Sequence, residues 1–381
     1  MKKHQKHADI SKSKIGFFGR NEISIIGTPC SNIKKLAYEI IDNLSDKYKI
    51  GYVDADHKGA DEEGISDKSA LNYNASLEYV DKINFHRFDT TQVIDEYQIK
   101  QLFNGEDLVL VNGNHFKAES QIVVIDSKKP LEKKLEKLTN VVMILMQEGE
   151  IEIPEYLRKH LTDYVSIPKY GMAELSMIVN LIDRKMRWNV PPLKGLVLAG
   201  GKSTRMNQDK SLIDYHGKSQ RMHMYDLLTQ ICNSGYIVVR SEQSSEFDEA
   251  VNVIEDKFIG LGPFGAILSA FQMNPNAAWL ITACDQPLLD KKTLDLLISK
   301  RNPSKYATAF YNPETDFPEP LITIWEPRAY TRMLYFLSLG YSCPRKVLIN
   351  SDIELVILDN PSVLKNANTP EEYKELKAQL Q

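Results

Sequence analysis

Between Leu193 and Ser211 the chain reads LKGLVLAGGKSTRMNQDKS. An apolar run enters Ala199-Gly200-Gly201, and Lys202, Ser203, Thr204, Arg205 and Lys210 follow. Glycines lack a Cβ, so the backbone can approach a ligand closely and turn N–H groups toward phosphate oxygens. The guanidinium of Arg205 and the ammonium of Lys210 are the charges that a polyphosphate calls for. An ordinary basic surface loop is the alternative, and the AGG triplet alone does not separate the two. The whole run, ending in Asp209-Lys210, favours phosphate. Leu198, Ala199, Gly200, Gly201, Lys202 and Ser203 are thus the expected nucleotide-binding residues, with Arg205 and Lys210 as catalytic cations.

Two further stretches complete this chemistry. TACDQP (Thr282 to Pro287) follows the apolar WLI, which puts Asp285 at the carboxyl end of a strand, where open α/β sheets bind ligands. Mg²⁺ is satisfied by one or two carboxylates plus phosphate oxygens, so Asp285 is the expected metal ligand and a catalytic residue. Cys284 beside it is a soft atom suited to packing. Positioning and electrostatics supply most phosphoryl-type catalysis, so no protein nucleophile is required. In GLGPFGAI (Gly260 to Ile267), Gly260, Gly262 and Gly265 would let the chain lie flat against a purine, and Pro263 is expected among the nucleotide-binding residues with Gly262 and Gly265. Asp256 upstream is suited either to accept from a guanine N1–H and 2-amino group or to face solvent at a helix start; both readings stand.

The elements that must position these residues alternate between strand and helix. ISIIG (Ile23 to Gly27), KIGYVDAD (Lys49 to Asp56), INFHRF (Ile83 to Phe88), DLVLVNG (Asp107 to Gly113), QIVVID (Gln121 to Asp126) and VVMILM (Val141 to Met146) are strand candidates. Ile33, Leu36, Ala37, Ile40, Ile41 and Leu44 follow the i, i+3, i+4 spacing of an amphipathic helix over Asn32 to Leu44. A second helix is expected over Met172 to Arg187. RWNVPP then breaks the pattern, because prolines neither continue a helix nor let the preceding residue stay in one. The expected fold is α/β, two three-layer domains in sequence. Residues 1–20 read as a disordered basic tail, 21–187 as the first domain, 188–192 as a linker and 193–381 as the second.

Composition narrows the class. Forty-seven basic residues against 51 acidic give a net charge of −4, a balance that argues against a general nucleic-acid binder. No apolar run approaches the ~20 residues of a membrane span, and no apolar segment follows the basic start, so no secretory signal is read. Cys30, Cys232, Cys284 and Cys343 are scattered without zinc spacing and read as reduced thiols. A cytoplasmic location is expected.

Taken together, LAGGKSTRMNQDK resembles the LAGGxSxRMGxDK signature of the molybdenum cofactor guanylyltransferase family. GLGPFGAI, TACDQP, PEPL (Pro318 to Leu321) and LKNANTPEEY (Leu364 to Tyr373) resemble that family's later motifs in order. The resemblance covers roughly Leu193 to Lys377. It implies a Rossmann-like nucleotidyltransferase domain that moves GMP from GTP to molybdopterin with Mg²⁺ and releases pyrophosphate. It also assigns Asn366 and Asn368 to the acceptor side, although Thr369-Pro370 with Glu371 and Glu372 is equally a helix start. Asn207 replaces the family's glycine, and GKSQRMHMY (Gly217 to Tyr225) departs from its usual GKPLW-like stretch. A cytidylyltransferase or a sugar-phosphate nucleotidyltransferase is the nearest alternative. A non-catalytic nucleotide-binding scaffold for cofactor delivery is the alternative of another class.

The first half carries a worn phosphate loop. GTPCSNIKKL (Gly27 to Leu36) has the strand-to-helix context of a P-loop, but Asn32, Ile33 and Lys34 stand where its second glycine, lysine and hydroxyl belong. VDADHKG and DLVLVNG resemble segments of the GTP-binding adaptor protein of molybdopterin guanine dinucleotide synthesis. The resemblance implies a degenerate, non-hydrolysing adaptor domain. Molybdoenzyme apo-proteins or their chaperones are the further partners that it leaves open. His57, His115, Asp54 and Asp56 are residual-site candidates there, with a structural loop role as the stronger reading.

Overall fold

The computed structural model describes residues 15–55, 69–200, 210–367 and 369–380. The chain divides into two compact units, Ile15–Asn189 and Val190–Gln381.

In the first unit the strands are β1 (Glu22–Ile26), β2 (Ile50–Val53), β3 (Leu77–Asp81), β4 (His86–Thr90), β5 (Leu108–Asn112), β6 (Ser120–Ile125), β7 (Val141–Met146) and β8 (Lys169–Gly171). The helices are α1 (Cys30–Leu44), α2 (Glu96–Leu102), α3 (Glu155–His160) and α4 (Leu175–Trp188). Six strands form one parallel sheet in the order β2-β5-β1-β6-β7-β8. β1, β5 and β6 are buried along their whole length, as continuous apolar runs covered on both faces must be. α1 buries Ile33, Leu36, Ala37, Ile40 and Leu44 against that sheet, and Ile178, Ile182 and Met186 of α4 join the same core.

Two expectations need correction here. INFHRF is a strand only in its second half: Ile83 sits at φ 69 in the turn of the antiparallel hairpin β3–β4, and His86, Arg87 and Phe88 enter β4 of that two-stranded sheet. Alternation of apolar residues reads alike on both sides of a tight turn, which is why the pattern misled. Residues 15–20, assigned to the tail, are packed. The Glu22 carboxylate accepts the N–H groups of Phe17 and Phe18 at 3.0 and 2.8 Å, and Phe18 lies in an apolar cluster with Val109, Val111 and Ala118.

The second unit restarts the alternation with β9 (Leu193–Leu198), α5 (Gln220–Ile231), β10 (Ser234–Val239), β11 (Val253–Glu255), α6 (Pro263–Met273) and β12 (Ala278–Ala283). It continues through α7 (Lys291–Ser299), β13 (Ala307–Asn312), β14 (Phe317–Trp325), α8 (Ala329–Ser338), α9 (Pro344–Ile349), β15 (Ile353–Val356) and α10 (Pro370–Gln379). Its sheet runs β11-β10-β9-β12-β14-β13-β15, with β14 antiparallel to both neighbours and the remaining pairings parallel. Two apolar clusters, around Leu228 and Leu280 and around Phe271 and Trp279, are the core of this unit. The strand order reverses between β9 and β12. At such a switch point the connections leave to opposite faces and a crevice opens beyond the carboxyl ends of the strands.

Candidate active site

A cavity of about 220 Å³ occupies that crevice. β9 delivers Leu198, Ala199 and Gly200 to its wall, β10 delivers Val238 and Val239, and β12 leads into Ala283, Cys284 and Asp285. Lys210 and Asp256 line it as well. Gly262 and Pro263 bring the amino end of α6 to the same wall, and that end of a helix favours anions through unpaired N–H groups and the macrodipole. Pro263 fits there because its missing N–H is not needed in a first turn. Gly262 holds φ 56 and ψ −139, a region that side chains disfavour.

Asp285 is the charge at the centre. Burial pushes its carboxyl above the usual carboxylate range, and the Lys210 ammonium opposes that shift. Its Oδ1 is buried without a hydrogen-bond partner among the described residues. A buried carboxylate oxygen in that state costs free energy unless a cation or proton meets it. Among the described residues no three His, Cys, Asp or Glu side chains cluster closely enough to hold a metal. A single carboxylate with phosphate oxygens nonetheless suits Mg²⁺. The backbone carbonyl of Asp285 accepts the N–H of Ala367 at 2.7 Å, which ties the Asn366-containing segment to this turn.

Asp256 braces the turn that leads to α6. Its Oδ1 accepts the Phe258 N–H at 3.0 Å and lies 2.9 Å from the Ser269 hydroxyl, while the residue still lines the cavity. Gly265 does not line the cavity. It is buried in α6, and a Cβ there would lie 2.3 Å from the Phe258 carbonyl oxygen. Its missing side chain lets the 256–262 turn close onto the helix, and of the glycine-rich run only Gly262 and Pro263 line the cavity with Ala266. Asn366 is exposed and outside the cavity wall. Gly201, Lys202, Ser203, Arg205, Asn207 and Asn368 lie outside the described residues. Thr369 caps α10: its Oγ1 accepts the Glu372 N–H at 3.2 Å and the Glu372 carboxylate accepts the Thr369 N–H at 3.0 Å.

Sequence reasoning missed Glu319. This residue of β14 is 4% exposed, accepts from Asn312 Nδ2 at 3.2 Å, and is raised by burial above the usual range. The charges of Asp285 and Arg345 act on it in opposite senses. The available signal was an acid set inside the apolar PEPLITIW.

In the first unit the residues of the worn loop are engaged in the core and with one another. Ile33, where the loop's lysine would stand, is fully buried in the α1 core. The Thr28 hydroxyl donates to Asp126 Oδ2 at 2.6 Å and accepts from Asn32 Nδ2 at 3.1 Å. Asn112 Nδ2 donates to Asp54 Oδ1 at 2.7 Å, and His115 Nε2 sits 3.4 Å from Cys30 Sγ. His57 and Asp56 lie outside the described residues. Among the described residues no helix is long and apolar enough to cross a membrane.

Comparison with known proteins accords with this geometry. Residues 195–351 match the family model of the MobA-like NTP transferase domain. A molybdenum cofactor biosynthesis bifunctional protein from a Synechocystis species is 35% identical over 186 residues, 49% of this chain and 54% of that protein. The chain therefore spans about half the length of that relative. A molybdenum cofactor guanylyltransferase from Shewanella frigidimarina is 24% identical over 50% of this chain and 98% of its own length. A solved structure of a MobB protein homolog from Bacillus stearothermophilus aligns with 44% of this chain and 99% of its own, at 14% identity and a TM-score of 0.31. The stretch that matches the MobA-like NTP transferase domain lies wholly within Val190–Gln381, the unit whose sheet opens at its switch point into the Asp285 cavity.

Proposed function

We propose that this chain transfers GMP from GTP to the phosphate of molybdopterin and releases pyrophosphate, making the guanine dinucleotide form of the cofactor. The observation that carries the reading is one cavity that joins Asp285, Lys210, Asp256 and the amino end of α6 within a MobA-like NTP transferase domain. The names of the relatives support the same substrates.

In this reading the α6 end and the Ala199-Gly200-Gly201 turn hold the triphosphate, and Asp256 meets the base edge with the oxygen that Phe258 and Ser269 leave over. Lys210, with Arg205, neutralises charge on the α-phosphate and the leaving pyrophosphate. The acceptor's phosphate oxygen attacks the α-phosphorus in line, and the bond to pyrophosphate breaks as the new phosphoanhydride forms. Asp285 is the residue that would hold Mg²⁺, whose chemistry is to neutralise the phosphate oxygens it binds. Asn366 and Asn368 are the acceptor-side residues in this reading, and the bond from Ala367 to Asp285 ties the segment that carries Asn366 to the metal side. The first unit is a degenerate adaptor domain that hydrolyses no nucleotide, supported by its buried Ile33 and its engaged Thr28.

The test is pyrophosphate release by purified full-length protein with Mg²⁺ and molybdopterin, comparing GTP, CTP, ATP and UTP. Release with GTP, lost in Asp285→Ala, is the expected result. Preference for CTP would move the protein to the cytidylyl branch. No release with any of the four would overturn the transfer reading.

A further inference from the structure

The loop before α5, near the start of the family-departing stretch, joins the two segments that flank the candidate site. Ile213 and Tyr215 pack with Ala367 and Leu376 in a small apolar cluster that Leu288 and Tyr373 complete. The Tyr215 ring meets Tyr373 edge-on, centroids 5.1 Å apart. A β-bridge between Asp214 and Ser219 closes the loop, and Gly217 turns it at φ 80. From inside this loop His216 Nε2 reaches the Pro287 carbonyl oxygen at 3.0 Å. A carbonyl only accepts, so Nε2 carries the hydrogen and the tautomer follows.

The His216 ring lies face to face on His223 of α5, centroids 3.7 Å apart and planes 14° from parallel. Burial pulls His223 down to about 4, helped by His216 and Lys218 and opposed by Asp226. The supporting ring is therefore neutral near pH 7, and Lys218 and Asp226 pair with each other beside it. The turn after β12 is thus held at two backbone oxygens, Asp285 by Ala367 and Pro287 by His216. Because Asp285 Oδ1 has no partner of its own among the described residues, the direction of the carboxylate depends on how firmly that backbone is held.

We propose that His216 is a positioning residue for Asp285, its Nε2–H gripping the Pro287 carbonyl so that the turn presents the Asp285 carboxylate to a metal-bound triphosphate. The proposal rests on reading the cavity as a metal-dependent nucleotidyl-transfer site. Removing an outer contact that orients a metal ligand typically costs about 10- to 100-fold in metal affinity or activity.

The experiment titrates Mn²⁺, a spectroscopic stand-in for Mg²⁺, into full-length protein with GTP and follows free Mn²⁺ by electron paramagnetic resonance. His216→Ala is expected to weaken Mn²⁺ binding by about 10-fold, the lower end of such effects, without lowering the melting temperature. His216→Asn, whose amide can donate to the same carbonyl, should restore most of the affinity. Wild-type affinity in His216→Ala would overturn the proposal, as would equal weakening in both variants with matched losses of melting temperature. Pyrophosphate release is measured alongside. A wild-type protein that binds Mn²⁺ and GTP, loses that binding in His216→Ala, and releases no pyrophosphate would refute nucleotidyl transfer while leaving the positioning role. A wild-type protein that binds no Mn²⁺ with GTP would refute both.

Discussion

The N–H of Ala367 donates to the carbonyl oxygen of Asp285 at 2.7 Å, across 82 residues of sequence (367 − 285). One bond therefore joins the strand-end acid to the segment that carries Asn366 and leads into α10 through the Thr369 cap. Chain continuity alone would leave these groups independent. The bond makes the metal side and the acceptor side of the proposed site parts of one turn.

Asp285→Asn should lower pyrophosphate release by at least ~100-fold, the cost of removing one preorganised charge from such a site. Its effect on stability has the opposite sign. Burial raises the folded-state pKa of Asp285, so the native protein holds a proton that the unfolded chain has already released, and stability falls as pH rises from the ordinary aspartate range through the raised value. At pH 7 without metal, Asp285→Asn should therefore melt above the wild type by a few degrees, about what 1 kcal/mol does in a domain of this size. The difference should vanish below the ordinary aspartate pKa. Thermal melts at pH 3 and pH 7 decide it; a lower melting point for the variant at pH 7 would contradict the burial argument.

Gly265→Ala and Gly262→Ala should separate packing from chemistry. A Cβ at Gly265 would press on the Phe258 carbonyl oxygen at 2.3 Å, and such overpacking costs about 1–3 kcal/mol. Turnover per folded molecule should survive. Gly262 has open space around its Cβ position but holds φ 56 at the cavity wall, so alanine there should cost a similar ~1–3 kcal/mol in strain and also raise KM for the nucleotide. Urea denaturation with steady-state kinetics distinguishes the two.

Asp256→Ala should act on nucleotide choice. Losing a hydrogen bond to a charged group costs about 1.5–3 kcal/mol, roughly a 10- to 150-fold rise in KM for GTP with kcat little changed. Ser269→Ala, which removes only the hydroxyl 2.9 Å from Asp256 Oδ1, should produce a smaller rise in the same direction. Equal KM values for GTP in wild type and Asp256→Ala would remove Asp256 from base recognition.

The first unit should bind no GTP, giving one nucleotide per chain in calorimetry. Ile33→Ala should cost about 2–5 kcal/mol because it empties a fully buried core position. Asn32→Ala, which loses one bond to the Thr28 hydroxyl, should cost only ~1 kcal/mol. Neither should change turnover of the folded protein. A second GTP per chain would show that the loop still works.

Much of this protein was determined by its sequence alone. Apolar spacing in Ile33, Leu36, Ala37, Ile40 and Leu44 dictated the buried face of α1, and an apolar run before Cys284-Asp285 placed the acid at a strand's carboxyl end. These are local effects, legible because a helix or strand repeats its geometry every few residues. Tertiary structure decided what depends on groups remote in the chain. It reversed β14 within an otherwise parallel sheet, set Gly265 against the Phe258 carbonyl, and buried Glu319 within the electrostatic reach of Asp285. It also set His216 against Pro287, 71 residues away. No local period encodes such pairs. Each exists because folding brings two surfaces together and leaves their polar groups to find one another.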